Sequence, residues 1–155
     1  MMGREECTVS HKKDSLLMGS SFILMVDDDP LTNYMNKKLL LHFGAASVIK
    51  TYTNPYDALA AVEELTSANI DVDELCILLD VQMVEMDGAE FLEKLKTKKP
   101  DIPDFKIRIY LVSGSFPAYC LGRLKEYSLA GFFLKPLSNG NAREVIMPLN
   151  PVYFW

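Results

Sequence analysis

Five short apolar runs punctuate the chain: Phe22 to Val26, Val48 to Tyr52, Leu75 to Leu79, Ile107 to Val112 and Gly131 to Leu134. Most are nearly continuous in Ile, Leu, Val and Phe, which is the pattern of parallel strands covered on both faces. The second, broken by Lys50 and Thr51, suits an edge; Leu75 to Leu79, the most apolar, suits the centre. Segments of helical period lie between them. Pro30 stands at a first helical position, and Leu31, Tyr34, Met35 and Leu39 keep a stripe to about Phe43, where Gly44 stops the helix. Asn54 caps a second helix, Pro55 follows, and Leu59, Val62 and Leu65 form its buried face. Asp87 and Glu90 have capping-box spacing ahead of a third helix carrying Phe91, Leu92 and Leu95. The stretch TKKPDIPDF reads as a polar loop. Pro117 opens a fourth helix with Leu121 and Leu124, and a last helix around Ala142 to Met147 is cut off by Pro148.

Strands that alternate with helices predict an α/β domain with a doubly wound parallel sheet, because each parallel crossover needs a connection long enough for a helix. At 155 residues the chain has room for one domain. Residues 21–147 carry it. Residues 1–20, polar and aperiodic, read as a flexible arm, and residues 148–155, PLNPVYFW, as an aromatic tail. Val152, Tyr153, Phe154 and Trp155 are expected to fold back over a face left open by a short last helix, to pack against a second copy in a homodimer, or to fray.

Charge narrows the partners. With 16 basic and 21 acidic residues the formal charge is −5, which argues against direct binding to a polyanionic nucleic acid. Lys12 and Lys13 before SLLMGSSFILMV have the parts of a signal peptide, but Gly19, Ser20 and Ser21 interrupt it and no small-residue cleavage site precedes Asp27. No stretch approaches the roughly 18 uninterrupted apolar residues of a membrane-spanning helix. A cytoplasmic location and no membrane partner are therefore expected. Cys7, Cys76 and Cys120, odd in number and far apart, read as buried or incidental thiols of a reducing compartment, with no metal-ligand spacing.

The chemistry gathers where apolar runs end: Asp27 and Asp28 after FILMV, Asp80 after LCILL, and Lys135 after GFFL. In open α/β sheets the C-terminal strand ends converge on the ligand site. Three clustered carboxylates repel one another unless a divalent cation shares them, and an oxygen-only donor set suits Mg²⁺. A lysine at the same edge points to a phosphoryl group as the further guest. Plainer readings exist for each residue. Asp27 to Asp29 before Pro30 form a favourable anionic helix start. Asp87-Gly88 is a turn and cap, Ser113 in SGS is a loop residue, and Lys135 is a surface lysine that Pro136 restricts to an extended form. Asp80 resists such a reading, because a carboxylate at the rim of a core costs stability unless paired.

The series VDDDP at Val26 to Pro30, LLDVQMVEMDG at Leu78 to Gly88, YLVSGS at Tyr110 to Ser115 and FFLKP at Phe132 to Pro136 resembles a response-regulator receiver domain, the phosphoacceptor module of two-component signalling. The likeness runs from about Ser21 to Met147. It implies a flavodoxin-like, five-stranded sheet of order 2-1-3-4-5 with helices on both faces. It further implies that Asp80 accepts phosphate and that Mg²⁺ is held by Asp28 directly, by Asp27 through a water, by Asp80, and by the backbone carbonyl of Gln82. Lys135 and Ser113 would bind the new phosphoryl charge, Ser113 and Phe132 would form the switch, and Lys135-Pro136 would be cis. The donor would be a histidine kinase or phosphotransfer protein. The output would be a protein target met by the fourth helix, fifth strand and last helix of a stand-alone regulator, with no enzyme activity beyond self-catalysed phosphotransfer and autodephosphorylation.

Two positions depart from the family. Val84 replaces its usual Pro, and Phe132 lacks the hydroxyl of a switch Tyr. Gln82 and Ser115, flanking the acceptor, would set the lifetime of the phosphorylated state. A different class is a haloacid-dehalogenase-type phosphatase, in which D-x-D-x-T would make Asp27 the nucleophile and Asp29 the acid. Leu31 holds the threonine position there and Thr32 comes one place late. A third is a degenerate receiver that binds partners without phosphorylation; the acceptor, acidic pair and lysine weigh against it.

Overall fold

A computed structural model describes residues 20–45, 48–67, 72–98, 107–115, 118 and 121–147. The expected arm lies outside these residues except for Ser20, which opens a strand, and the expected TKKPDIPDF loop lies outside them except for Thr97 and Lys98, which end a helix; the tail, Cys7, Cys120 and Pro117 also lie outside. The elements are β1 (Ser20–Val26), α1 (Pro30–His42), β2 (Val48–Tyr52), α2 (Pro55–Ser67), β3 (Val72–Asp80), α3 (Gly88–Lys98), β4 (Ile107–Ser113), α4 (Leu121–Leu124), β5 (Gly131–Leu134) and α5 (Asn139–Ile146). All strand pairs are parallel, in the order β2-β1-β3-β4-β5. The mixed strand β2 is at an edge and β3 is central, as their residue patterns predict.

Side chains alternate across the sheet into two cores. Phe22, Leu24, Val26, Leu75, Ile77, Leu79, Ile109 and Leu111 point to the side covered by Leu59 and Val62 of α2, Phe91 and Leu95 of α3, and Leu124 of α4. Ile23, Met25, Cys76, Leu78, Tyr110, Val112 and Phe133 point to the other, covered by Leu40 of α1 and by Ala142 and Val145 of α5. Burial on both faces is why Phe22 to Val26 and Leu75 to Leu79 carry no polar alternation, whereas the edge strand β2, largely exposed, is mixed.

Helix α1 corrects the stripe seen in its sequence. Leu31, Tyr34 and Met35 are 64%, 55% and 58% exposed, whereas the inward face carries Asn33 and Leu40. Asn33 is buried because its amide nitrogen donates to Asp27 O (2.9 Å) and Tyr52 O (3.1 Å), carbonyls at the ends of β1 and β2. An apolar stripe marks one face of a helix but does not say which face is inside when a polar residue has buried partners. Asn33→Ala removes the donor from two strand-end carbonyls, and is expected to cost about 1–3 kcal/mol in urea denaturation. An unchanged midpoint would mean that water replaces the amide.

Helix ends follow local chemistry. Asp29 caps α1, its carboxylate accepting from Leu31 N (3.0 Å) and Thr32 Oγ1 (2.7 Å). Gly44, at φ +86°, ends it in a conformation that suits glycine. At α3, Glu90 N donates to Asp87 Oδ1 (2.8 Å) and Asp87 N to Glu90 Oε2 (3.3 Å), the expected capping box. Helix α5 begins before the expected Ala142, since Ser138 and Asn141 cap each other's backbone. Strand β3 likewise begins earlier than Leu75, at Val72, because Glu74, polar in the sequence, is buried against Arg108 of β4. Arg108 also donates to the carbonyls of Glu144 (3.3 Å) and Val145 (2.8 Å), tying the last turn of α5 to the sheet.

Candidate functional site

Parallel pairing brings four strand ends to one edge. Asp27 follows β1, Asp80 ends β3 opposite Val112, Ser113 ends β4 opposite Leu134, and Lys135 follows β5. Backbone hydrogen bonds hold these ends in place: Asp27 N to Tyr52 O (3.1 Å), Val81 N to Val112 O (3.3 Å) and Lys135 N to Ser113 O (2.8 Å). The Lys135-Pro136 peptide is cis, as the resemblance implies. Gly88 closes the loop after β3, its N–H reaching Val81 O at 2.8 Å. A Cβ at Gly88 would lie 3.2 Å from Val81 Cα and 3.4 Å from Asp80 O, so the close approach favours glycine.

Asp27, Asp28 and Asp80 each offer one carboxylate oxygen, and these atoms lie within 4.8 Å of one another. Asp27 and Asp80 are buried and Asp28 is half-exposed. Lys135 Nζ lies 2.6 Å from Asp27 Oδ2 and 3.3 Å from Asp80 Oδ1. Asp27 Oδ1 accepts from Asp29 N (2.9 Å), so both Asp27 oxygens are engaged. Asp80 differs: its polar contacts, with Lys135 Nζ and Gln82 N (3.3 Å), both use Oδ1. Burial, followed by the neighbouring Asp27 charge, pushes the Asp80 carboxyl up to about 6, and Lys135 only partly offsets this. Burial disfavours the Lys135 ammonium, but its bonds and charge attraction to Asp27 and Asp80 outweigh that, so its pKa is raised.

Three carboxylates answered by a single ammonium are a fitting receptor for a hard divalent cation, which prefers carboxylate and carbonyl oxygens. Asp29 belongs elsewhere. Its carboxylate is the helix cap described above, and the hydrogen bond from Thr32 leads the effects that lower its pKa. Of the other expected site residues, Ser113 is buried, with Oγ 3.5 Å from Ser115 N, while Gln82 and Ser115 are exposed and Phe132 is half-buried on the side of α2 and α3. Sequence reasoning did not find Asn33, which braces the ends of β1 and β2. The available signal was an amide in the first turn after the acidic run, seven positions before the buried Leu40.

Fold and site together define a flavodoxin-like α/β domain with an acidic cluster and a lysine at its C-terminal sheet edge. The model of the response regulator receiver domain family matches residues 23–147, and the chain belongs to that family. A response regulator receiver protein from Dyadobacter fermentans is 26% identical, with a TM-score of 0.63 over 81% of this chain and 94% of that one. A two-component response regulator from Cytophaga hutchinsonii shares the fold with a TM-score of 0.69 at 19% identity, over 83% of this chain and 95% of that one. Among curated proteins, a protein-glutamate methylesterase/protein-glutamine glutaminase from Hydrogenovibrio crunogenus is 36% identical over 78 residues, which is 50% of this chain and 19% of that protein. The chain thus matches about a fifth of that relative's length. No helix among the described residues is long and apolar enough to cross a membrane.

Proposed function

We propose that this receiver domain takes a phosphoryl group on Asp80 from a histidine kinase or phosphotransfer protein and passes the signal on by protein–protein contact. The observation that carries the reading is the convergence of three carboxylates within 4.8 Å, with Lys135 Nζ contacting two of them and Asp80 engaged through Oδ1 alone. Asp28, Asp80, the Gln82 carbonyl and, through water, Asp27 would hold Mg²⁺. When bound, the cation supplies the charge cancellation that lets an anionic donor approach an acidic site.

The chain's own residues do the rest. Asp80 Oδ2 forms the new P–O bond as the bond from phosphorus to the donor's nitrogen or oxygen breaks. Lys135 already faces the reacting carboxylate, and its ammonium neutralises the product's added charge. The Ser113 hydroxyl donates to a phosphoryl oxygen, and Phe132, on the adjacent strand, changes its packing in response. Gln82 and Ser115, both exposed beside the acceptor, govern access of the water that later removes the group. A cytoplasmic regulator that signals to a protein target remains our reading of the chain's role.

Incubation with acetyl phosphate and Mg²⁺, followed by mapping of the modified residue, tests this directly. Label on Asp80 is expected. Label on Asp27 would favour the phosphatase reading, although Asp29, the acid that reading needs, serves as the α1 cap. Absence of label with Mg²⁺ bound would leave a receiver fold that does not accept phosphate.

A further inference from the structure

Val84 stands where the family usually has proline, and its side chain is 92% exposed. Packing therefore places little demand on the residue type. Its backbone is a different matter. Val84 N donates to Asp28 Oδ2 at 3.1 Å, across 56 residues of sequence. Among the described residues this is the one hydrogen bond between the loop after β3 and the acidic turn after β1. The loop is held at its ends by Val81 and Gly88 and anchored by the buried Met83 and Met86, so the N–H of Val84 is presented from a firm base. Proline at this position has no N–H to give.

Resting on the proposed cation site, we infer that the Val84 N–H is a positioning group: it fixes the Asp28 carboxylate against the loop, and cation affinity depends on this donor while the side chain at 84 is immaterial. A carboxylate has two oxygens and about four lone-pair sites, so a bond to Oδ2 leaves Oδ1 for a cation. Half-exposed Asp28 has no other polar partner among the described residues to select its rotamer. The N–H preorganises the ligand and couples loop position to cation occupancy, a link that a proline-bearing loop lacks.

Val84→Ala keeps the N–H and Val84→Pro deletes it. Calorimetric titration with Mg²⁺ is expected to give wild-type affinity for Val84→Ala and about three- to tenfold weaker binding for Val84→Pro, the range of a typical net hydrogen bond at a solvent-accessible site. Equal denaturation midpoints for the two variants would show that the loss is not one of folding. Without added cation, amide exchange at residue 84 should quicken in Asp28→Ala and stay slow in Asp28→Asn, whose carbonyl oxygen still accepts. Equal Mg²⁺ affinity in the proline and alanine variants, or exchange at Val84 indifferent to Asp28→Ala, overturns the positioning role and leaves the cation site standing. A wild-type protein that binds no Mg²⁺ overturns both.

Discussion

Asp80→Asn is expected to abolish labelling by acetyl phosphate and, in the same protein, to raise the stability of the cation-free domain at pH 8 by about 2–3 kcal/mol. The first effect follows from loss of the accepting oxygen. The second follows from the environment that makes the residue useful. Burial and the Asp27 charge hold the folded carboxyl at about 6 against an ordinary 3.8, so the folded state binds this proton more tightly than the unfolded chain does. The neutral form is therefore the stabilising one. Its benefit is fully present below pH 3.8 and is lost as pH rises through about 6, so ionised Asp80 burdens the native state at pH 8. Asparagine keeps the shape and avoids the charge. Its advantage should shrink to a small fraction near pH 4, and it should narrow at pH 8 when Mg²⁺ stabilises the wild type more than the variant. Urea denaturation at the two pH values measures it. An advantage independent of pH would mean that the carboxyl titrates normally.

The second large effect lies at the other end of the sheet. Glu74→Leu should destabilise the domain by about 3 kcal/mol, because it leaves the Arg108 guanidinium with no carboxylate in a site where both side chains are only 10% exposed. Burial opposes the Arg108 charge, and neighbouring negative groups, Glu74 among them, raise its pKa overall. The carbonyls of Glu144 and Val145 and the Tyr110 hydroxyl, 3.3 Å away, would remain as partners but supply no charge. The double variant Glu74→Leu with Arg108→Met should lose less than Glu74→Leu alone, since removing both members leaves no orphaned ion. If the double variant is the less stable of the two, the chief role of Arg108 is to hold α5 rather than to answer Glu74.

Strand positions, the sheet edge bearing the chemistry, and the capping of α3 were legible in the sequence because each is written in residues close together. The flavodoxin-like order was legible only through resemblance. Long-range polar pairing was not legible. No motif or spacing links Glu74 to Arg108, yet the two are buried against each other. Leu31, Tyr34 and Met35 look like an inner face and are exposed, because an amide at Asn33 claims the interior by bonding two carbonyls. Of the three acids of VDDDP the sequence sets Asp27 and Asp28 in the site; in the structure these two lie with Asp80, and Asp29 caps a helix. Val84 drew notice for the ring it lacks, and what it gains is an N–H.

The two-sided core has a consequence for how the chain is made. No pair of neighbouring strands is a hairpin, so every pairing closes a loop through a crossover, and such non-local contacts form slowly. The side carrying Cys76, Leu78, Tyr110, Val112 and Phe133 receives Ala142 and Val145 only when α5 has left the ribosome. Until then a nascent chain with all five strands synthesised would present a broad apolar sheet to the cell. The final turn of α5, clamped by Arg108, is therefore the last piece to cover that side of the sheet, beside the Leu40 that α1 already supplies.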